Sequence, residues 1–386
     1  MLIAQALAAP PLNANVLMIT GTRHSGAFTM PARVDCLTLP GYYKDLEGEY
    51  HARSLGMPAA SLSQLRGQVI KAGLANFAPD IFIVDNVPRG AMGELVPALE
   101  HLASCDQTKC VLGLRDVLDT PYVVQQQWLR QGTLEVIANF YNEVWIYGDP
   151  AVYDTAAEYS FSEALTAKTR YTGYLDPAAR LEGSSSETEI AVAGLEGHEL
   201  ALCVLGGGQD GVDVAWNFAA AELPVGTRGI ILTGPFMPRP VRRRLARLST
   251  HHPRLSVLEF VSDPMPVMKL AKSIVAMGGY NTVSEILSLE KRGLLVPRSK
   301  PRMEQLIRAE RLKALGLLDY IENVELTPDR ITAWLHEAGS PPPARGLINF
   351  DGLARVSSLV SELLDASPPA SELPKIVEQG GLRLVR

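Results

Sequence analysis

The chain has 386 residues, 47% hydrophobic and 20% charged, with a formal net charge of −6. That length exceeds one ordinary core and predicts two domains of a well-packed globular protein. The acidic balance argues against nucleic acid as a main partner, and no run approaches the ~20 apolar residues needed to cross a bilayer.

The N-terminal MLIAQALAAPP ends like a signal-peptide cleavage site. It lacks a basic n-region and its apolar part is short, so it reads as a piece of helix, and the protein is expected to be cytoplasmic. Cys36, Cys105, Cys110 and Cys203 show no metal spacing and are expected to be buried free thiols.

In the first half, strands are expected at NVLMIT (15–20), VDCLTL (34–39), DIFIVD (80–85), CVLGLR (110–115) and EVWIY (143–147). Helical stretches near 58–77, 90–103 and 120–140 lie between them. The polar segment LEGSSSETE (181–189) is the best linker candidate, which puts the boundary near 175–197. The rhythm then restarts with strands at ELALCVLG (199–206), RGIILTG (228–234), LSVLEF (255–260), SIVAM (273–277) and GLLVP (293–297). Helices are expected near 211–222, 239–250, 264–271, 281–289 and 303–315. GSPPPARG (339–346) breaks the pattern, a helix follows at 350–364, and the Pro- and Ser-containing tail shows no clear structure.

This alternation predicts an α/β protein with two Rossmann-like domains facing across a cleft, ligands binding beyond the carboxyl ends of the strands. The expected units are 1–178, 197–338, and a C-terminal helix and tail over 346–386. The second domain opens with a strand and a glycine loop. The first opens on LIAQALAA, so its first strand–helix unit is expected to be missing, either because the true start lies upstream or because the domain is naturally truncated.

Four segments at strand ends carry chemistry. LGGGQDG (205–211) places Gly207, Gly208 and Gln209 in a turn that faces either a diphosphate or simply the next helix. EFVSDPMPVM (259–268) offers the backbone of Phe260 and Val261 to a base edge with Met265 beneath; ordinary core packing explains it equally. In GGYNTVSEIL, Gly278 and Gly279 let a ligand approach the backbone, Asn281 and Thr282 open a helix whose free N–H groups attract phosphate, and Glu285 is placed to accept from two vicinal hydroxyls. In PRSKPRMEQLIRAERL (297–312), Glu304 and Gln305 suit sugar hydroxyls, while Arg298, Arg302 and Arg308 suit phosphate. The alternative is a charged surface helix with i,i+4 pairs. The basic run PRPVRRRLARL (238–248) reads as a solvated face, with membrane-surface contact as the lesser reading. Phosphate, ribose and sugar contacts in this order describe a nucleotide-sugar site. No Asp-x-Asp pair or His/Glu cluster has metal spacing, so no metal and no cofactor is expected. Helix N-termini, loop amides and arginines would then hold a leaving diphosphate.

Through GGGQDG, EFVSDPM, GGYNTVSEIL and VPRSKPRMEQLIRAERL, roughly 200–316, the chain resembles the donor domain of GT-B fold glycosyltransferases. Within that group it is similar to the peptidoglycan transferase that adds N-acetylglucosamine to lipid I, and to predicted relatives of it. The resemblance implies Phe260–Val261 at the base, Glu285 at the ribose, Gly279, Asn281 and Thr282 at the diphosphate, and Glu304 and Gln305 at the donor sugar. It also implies a transferase using a nucleoside-diphosphate sugar, most naturally a UDP-sugar, with inversion, and an acceptor that is a glycan, a lipid-linked molecule or a small molecule. Peripheral attachment at an inner membrane face fits that picture. Candidate bases are Asp116, Asp85 and His24. Asp116 and Asp119 also suit the cap of a helix near Pro121, Asp85 a turn, and His24 an exposed loop. The competing functions are a UDP-sugar epimerase and a nucleotide-sugar-binding subunit without catalysis.

Overall fold

The computed structural model describes residues 1–21, 30–45, 49–105, 107–182, 197–259, 261, 263–365 and, as backbone, 383–385. His24 and Phe260 lie outside the described residues, as does most of the linker candidate.

In the first domain the strands are β1 (Asn15–Thr20), β2 (Val34–Thr38), β3 (Tyr42–Lys44), β4 (Tyr50–Ala52), β5 (Ile81–Asp85), β6 (Lys109–Arg115), β7 (Glu143–Tyr147) and β8 (Thr169–Tyr171). The second contributes β9 (Glu199–Val204), β10 (Thr227–Leu232), β11 (Leu255–Leu258), β12 (Ser273–Ala276), β13 (Arg292–Leu295) and β14 (Asp319–Tyr320); β15 (Arg383–Val385) ends the chain. The apolar runs form strands because they are covered on both faces: Ile81–Val84 and Ser273–Ala276 are buried throughout, as helix-flanked parallel sheets require. The stretch expected as one helix over 120–140 is two, Pro121–Gln131 and Thr133–Phe140, because Gly132 between them is left-handed at φ 57°.

The second sheet runs β11-β10-β9-β12-β13-β14, all parallel. Its strand order reverses between β9 and β12, and the loops after those two strands diverge to opposite faces. A crevice opens there, at the carboxyl edge. The first sheet runs β2-β1-β15-β5-β6-β7-β8.

The tail corrects one expectation. It contains a strand, and that strand lies between β1 and β5 in the first sheet. β15 is short. Val385 pairs with Leu17 and Phe82, and the carboxyl halves of β1 and β5 run on past it. The C-terminal helix, Gly352–Asp365, belongs with the first domain too, burying Val356, Leu359 and Val360 in the same apolar cluster as Ile3 and Leu7 of the helix Leu2–Ala8. The return of the chain is stitched to its outward path. Tyr174 N–H donates to Asn349 O (2.8 Å), Gly352 N–H donates to Tyr174 O (3.2 Å), and Leu175 bridges Asp351.

Of the cysteines, Cys110 and Cys203 are buried, and burial pushes the Cys110 thiol up to about 12. Cys36 is half-buried and Cys105 exposed, which corrects the expectation for those two. No described helix is long and apolar enough to cross a membrane.

Because Leu359 is 1% exposed in the cluster joining the chain's two ends, Leu359→Ala is expected to cost about 2–5 kcal/mol of first-domain stability, read from the urea midpoint.

Candidate functional site

A cavity of about 460 Å³ lies at the crevice between β9 and β12. Its floor is backbone. Gly206 (φ 56°) and Gly207 follow β9, and Gly234 (φ 79°) follows β10. A Cβ on Gly234 would sit 2.2 Å from Gly206 O, and one on Gly208 2.0 Å from Thr233 O. The two loops therefore meet main chain to main chain, which only glycine permits. Gly208 is a packing residue rather than a ligand contact, and Gln209, exposed, does not line the cavity.

After β12, Gly279 is the N-cap of the helix Tyr280–Ser288, and no side chain caps its first turn. Those N–H groups remain available to an anion beside Asn281 and Thr282, both of which line the cavity. Gly279 has open space where a Cβ would be. Gly278 does not: a Cβ there would meet Gln305 Cβ at 3.0 Å, so it serves close packing of two elements.

Glu285, one turn in, is 6% exposed. Burial raises its pKa above the usual carboxylate value, with the Arg180 guanidinium opposing. Arg180 Nη2 donates to Glu285 Oε1 at 2.5 Å and stands 3.7 Å from Asp263. Arg180 comes from the 3-10 turn Pro177–Glu182, on the first-domain side of the linker, and lines the same cavity. Opposite stands Arg115, the last residue of β6, its guanidinium 5.9 Å from the Tyr280 ring centre. Neither arginine lies in the four strand-end segments that carry chemistry in the sequence. The one signal in the sequence was an Arg ending each of GLR and DPAAR.

Of the two residues proposed for the base, Val261 lines the cavity and Phe260 lies outside the described residues. Met265 is fully buried, part of the core beneath. Arg298, Glu304 and Gln305 form their own cluster. Arg298 donates to Asp210 (2.7 Å) and Glu304 (2.8 Å), and its backbone N–H donates to Gln305 Oε1 (3.3 Å). None of the three lines the cavity, and Arg298 is held by two carboxylates rather than free for phosphate. Arg308 is likewise not available to phosphate. It is 1% exposed and grips Asp116, itself fully buried, with Nε at 3.0 and 3.2 Å and Nη2 at 2.6 Å. Nη1 donates to Gly278 O (2.9 Å), and Tyr174 Oη donates to Asp116 Oδ2 (2.9 Å). Burial works against the charge on Arg308, yet Asp116 more than compensates and its pKa lies above the ordinary value. Asp119, from the same loop as Asp116, accepts from Met303 N–H across the domains (3.1 Å).

This geometry corrects the assignment of Asp116 as base. A carboxylate with no exposure and both oxygens engaged receives no proton from a substrate in the cleft. Asp85, by contrast, is exposed at the end of β5. The basic run is the helix Arg239–Thr250, with Arg239, Arg243, Arg244 and Arg247 exposed and Arg242 paired to Glu259.

Asp116→Ala strands a buried guanidinium and should cost about 3–5 kcal/mol in urea unfolding, whereas Asp116→Leu with Arg308→Met should recover most of that. For Glu285 the sign is that of a raised carboxylate. Its contribution is full below the unfolded value and is lost as pH rises through the folded one. Wild type should therefore lose stability relative to Glu285→Gln over that interval, measured by thermal melts across pH.

Residues 202–345 match the glycosyltransferase family 28 C-terminal domain. No curated protein matches the chain in sequence. Among solved structures it is similar to the calicheamicin glycosyltransferase CalG4, with 13% identity, 93% of this chain and 100% of that one covered, and a TM-score of 0.58. It is also similar to the UDP-GlcNAc 2-epimerase from Neisseria meningitidis bound to UDP-GlcNAc, with 14% identity, 91% and 100% covered, and a TM-score of 0.57. MurG from Acinetobacter baumannii aligns at 13% identity over 92% and 96%, with a TM-score of 0.48. The chain has the two-domain GT-B fold, and most of its second domain is similar to the glycosyltransferase family 28 C-terminal domain.

Proposed function

We propose that the chain is a glycosyltransferase that moves a sugar from a nucleoside-diphosphate sugar, most naturally a UDP-sugar, to an acceptor hydroxyl. The observation that carries this is the cavity at the β9/β12 reversal. There a glycine floor, an uncapped helix N-terminus, Glu285 and two arginines line one space of about 460 Å³. In this reading the base lies against Val261, the ribose hydroxyls reach Glu285, and the diphosphate rests on Gly207, Gly279, Asn281 and Thr282. Arg115 and Arg180 supply the positive charge for the leaving group. Arg180 shifts part of its hydrogen bonding from Glu285 to phosphate when the donor arrives. Glu304 and Gln305, oriented by Arg298, lie toward the sugar end.

Chemistry follows as a single displacement with inversion. Asp85 accepts the proton of the acceptor hydroxyl while that oxygen bonds to the anomeric carbon. The bond from that carbon to the diphosphate oxygen breaks, and its electron pair leaves with the nucleoside diphosphate. Two structural neighbours of near-equal similarity are a transferase and an epimerase by name, so epimerisation is the second reading. Against it, among the described residues no histidine lines the donor cavity.

Calorimetric titration with UDP is expected to show binding that Glu285→Ala weakens by about tenfold or more, the worth of hydrogen bonds to a charged group. Unchanged UDP affinity in that variant would remove the donor assignment. Asp85→Asn should lower kcat by about 10²–10⁴-fold with UDP affinity unchanged. Incubation of UDP-GlcNAc without acceptor should give at most slow release of UDP; a new sugar isomer would establish the epimerase instead.

A further inference from the structure

Charge in this chain is segregated. From Leu223 to Leu258 there are seven arginines and no Asp, Glu or Lys, although the whole chain carries a net −6. Five of the seven, Arg239, Arg242, Arg243, Arg244 and Arg247, stand on the helix Arg239–Thr250. Two of these are engaged. Arg242 pairs with Glu259, and Arg244 lies over the Trp216 ring at 5.3 Å. Arg239, Arg243 and Arg247 are exposed, and among the described residues no carboxylate pairs with them. They fall at i, i+4 and i+8, one row along the helix. Like charges at that spacing repel, so the row is relieved when an anion lies against it.

The start of that row borders a groove of about 420 Å³ at the carboxyl end of β10 and β11. Thr233, Arg239, Arg242, Arg243 and Glu259 line it. It is not part of the donor cavity, with which it shares no lining residue. Leu232 and Gly234 line the donor cavity, and Thr233 between them lines the groove. Glu259, the carboxylate of the groove, is engaged by Arg242, so Arg239 and Arg243 leave the space positive. The first turn of the helix has no side-chain cap, and its positive end adds to the same field.

We propose that this groove is a phosphate-binding site separate from the donor cavity, taking a phosphate monoester in the guanidinium forks of Arg239 and Arg243. The two residues are about 6 Å apart along the helix axis, close enough to hold one tetrahedral anion between them. A segment whose cations are all arginine suits that task, because the planar fork binds phosphate through paired hydrogen bonds and lysine does not. The phosphate arrives on a soluble molecule or on the headgroup of an anionic lipid; the recognition chemistry is the same. The site is independent of the transferase reading.

The test is calorimetric titration of inorganic phosphate into the full chain at ionic strength held constant with NaCl. It is run with and without saturating UDP, so that phosphate bound in the donor cavity is subtracted. Cosedimentation with phosphatidylcholine vesicles, with and without phosphatidic acid, runs in parallel. Wild type should bind phosphate, and the double variant Arg239→Gln/Arg243→Gln should weaken it about tenfold or more, the worth of hydrogen bonds to a charged group. Glu259→Gln, which frees Arg242, should tighten it. Both variants should bind UDP as wild type does, since none of these residues lines the donor cavity. Without ligand the double variant should melt no lower than wild type, because it relieves the like-charge row.

Phosphate affinity unchanged in the double variant overturns the proposal. So does an absence of binding to both inorganic phosphate and phosphatidic acid vesicles. Vesicle binding that requires phosphatidic acid and is lost in the double variant assigns the lipid headgroup. Binding of free phosphate that the double variant loses, with no preference for phosphatidic acid, assigns a soluble molecule. Failure of wild type to bind UDP strikes the donor assignment and not this one.

Discussion

The rest of the molecule depends on the buried pair of Asp116 and Arg308. One partner follows a strand of the first domain and the other sits on a helix of the second, and both are buried. Removing two charges from solvent is costly, and the cost is offset only when every donor and acceptor is satisfied. Here the guanidinium reaches both carboxylate oxygens and a main-chain carbonyl, while a tyrosine hydroxyl completes the acid. Two domains that meet through such a pair have one arrangement with satisfied charges. Any other leaves an unpaired ion.

The carbonyl taken by Arg308 belongs to Gly278, one residue before the cap of the helix that lines the cavity after β9 and β12. Closure of the domains and the position of that helix start are therefore one event, expressed through a single side chain. The stacked rings of Tyr174 and Tyr280, 6.0 Å apart, carry the same coupling through apolar contact. In this arrangement the acidic group most readily suspected of chemistry instead sets geometry.

Much of this was legible in the sequence. The β-branched runs marked ten strands, because a strand covered on both faces must be apolar throughout, and glycine pairs marked loops that line the cavity. Glu285, Asn281 and Thr282 were found because helix-start chemistry is local. What escaped was non-local. Arg308 reads as one more charge on an i,i+4 face, and only the fold brings it against a carboxylate 192 positions away. Arg115 and Arg180 enter the donor cavity from the opposite domain, so no spacing within one segment reveals them. The strand β15 was hidden because three residues are too few to show a period.

The outward and returning paths of the chain are hydrogen-bonded to one another at Tyr174, Asn349 and Gly352. Two separate crossings would let one domain twist as well as swing. Joined at these residues, the two paths hold each other in register on the first-domain side. The cavity after β9 and β12 takes its lining from both domains, Arg115 and Arg180 from the first and Gly279, Asn281 and Thr282 from the second. Any change in the angle between the domains would alter that cavity and strain the Asp116–Arg308 pair together.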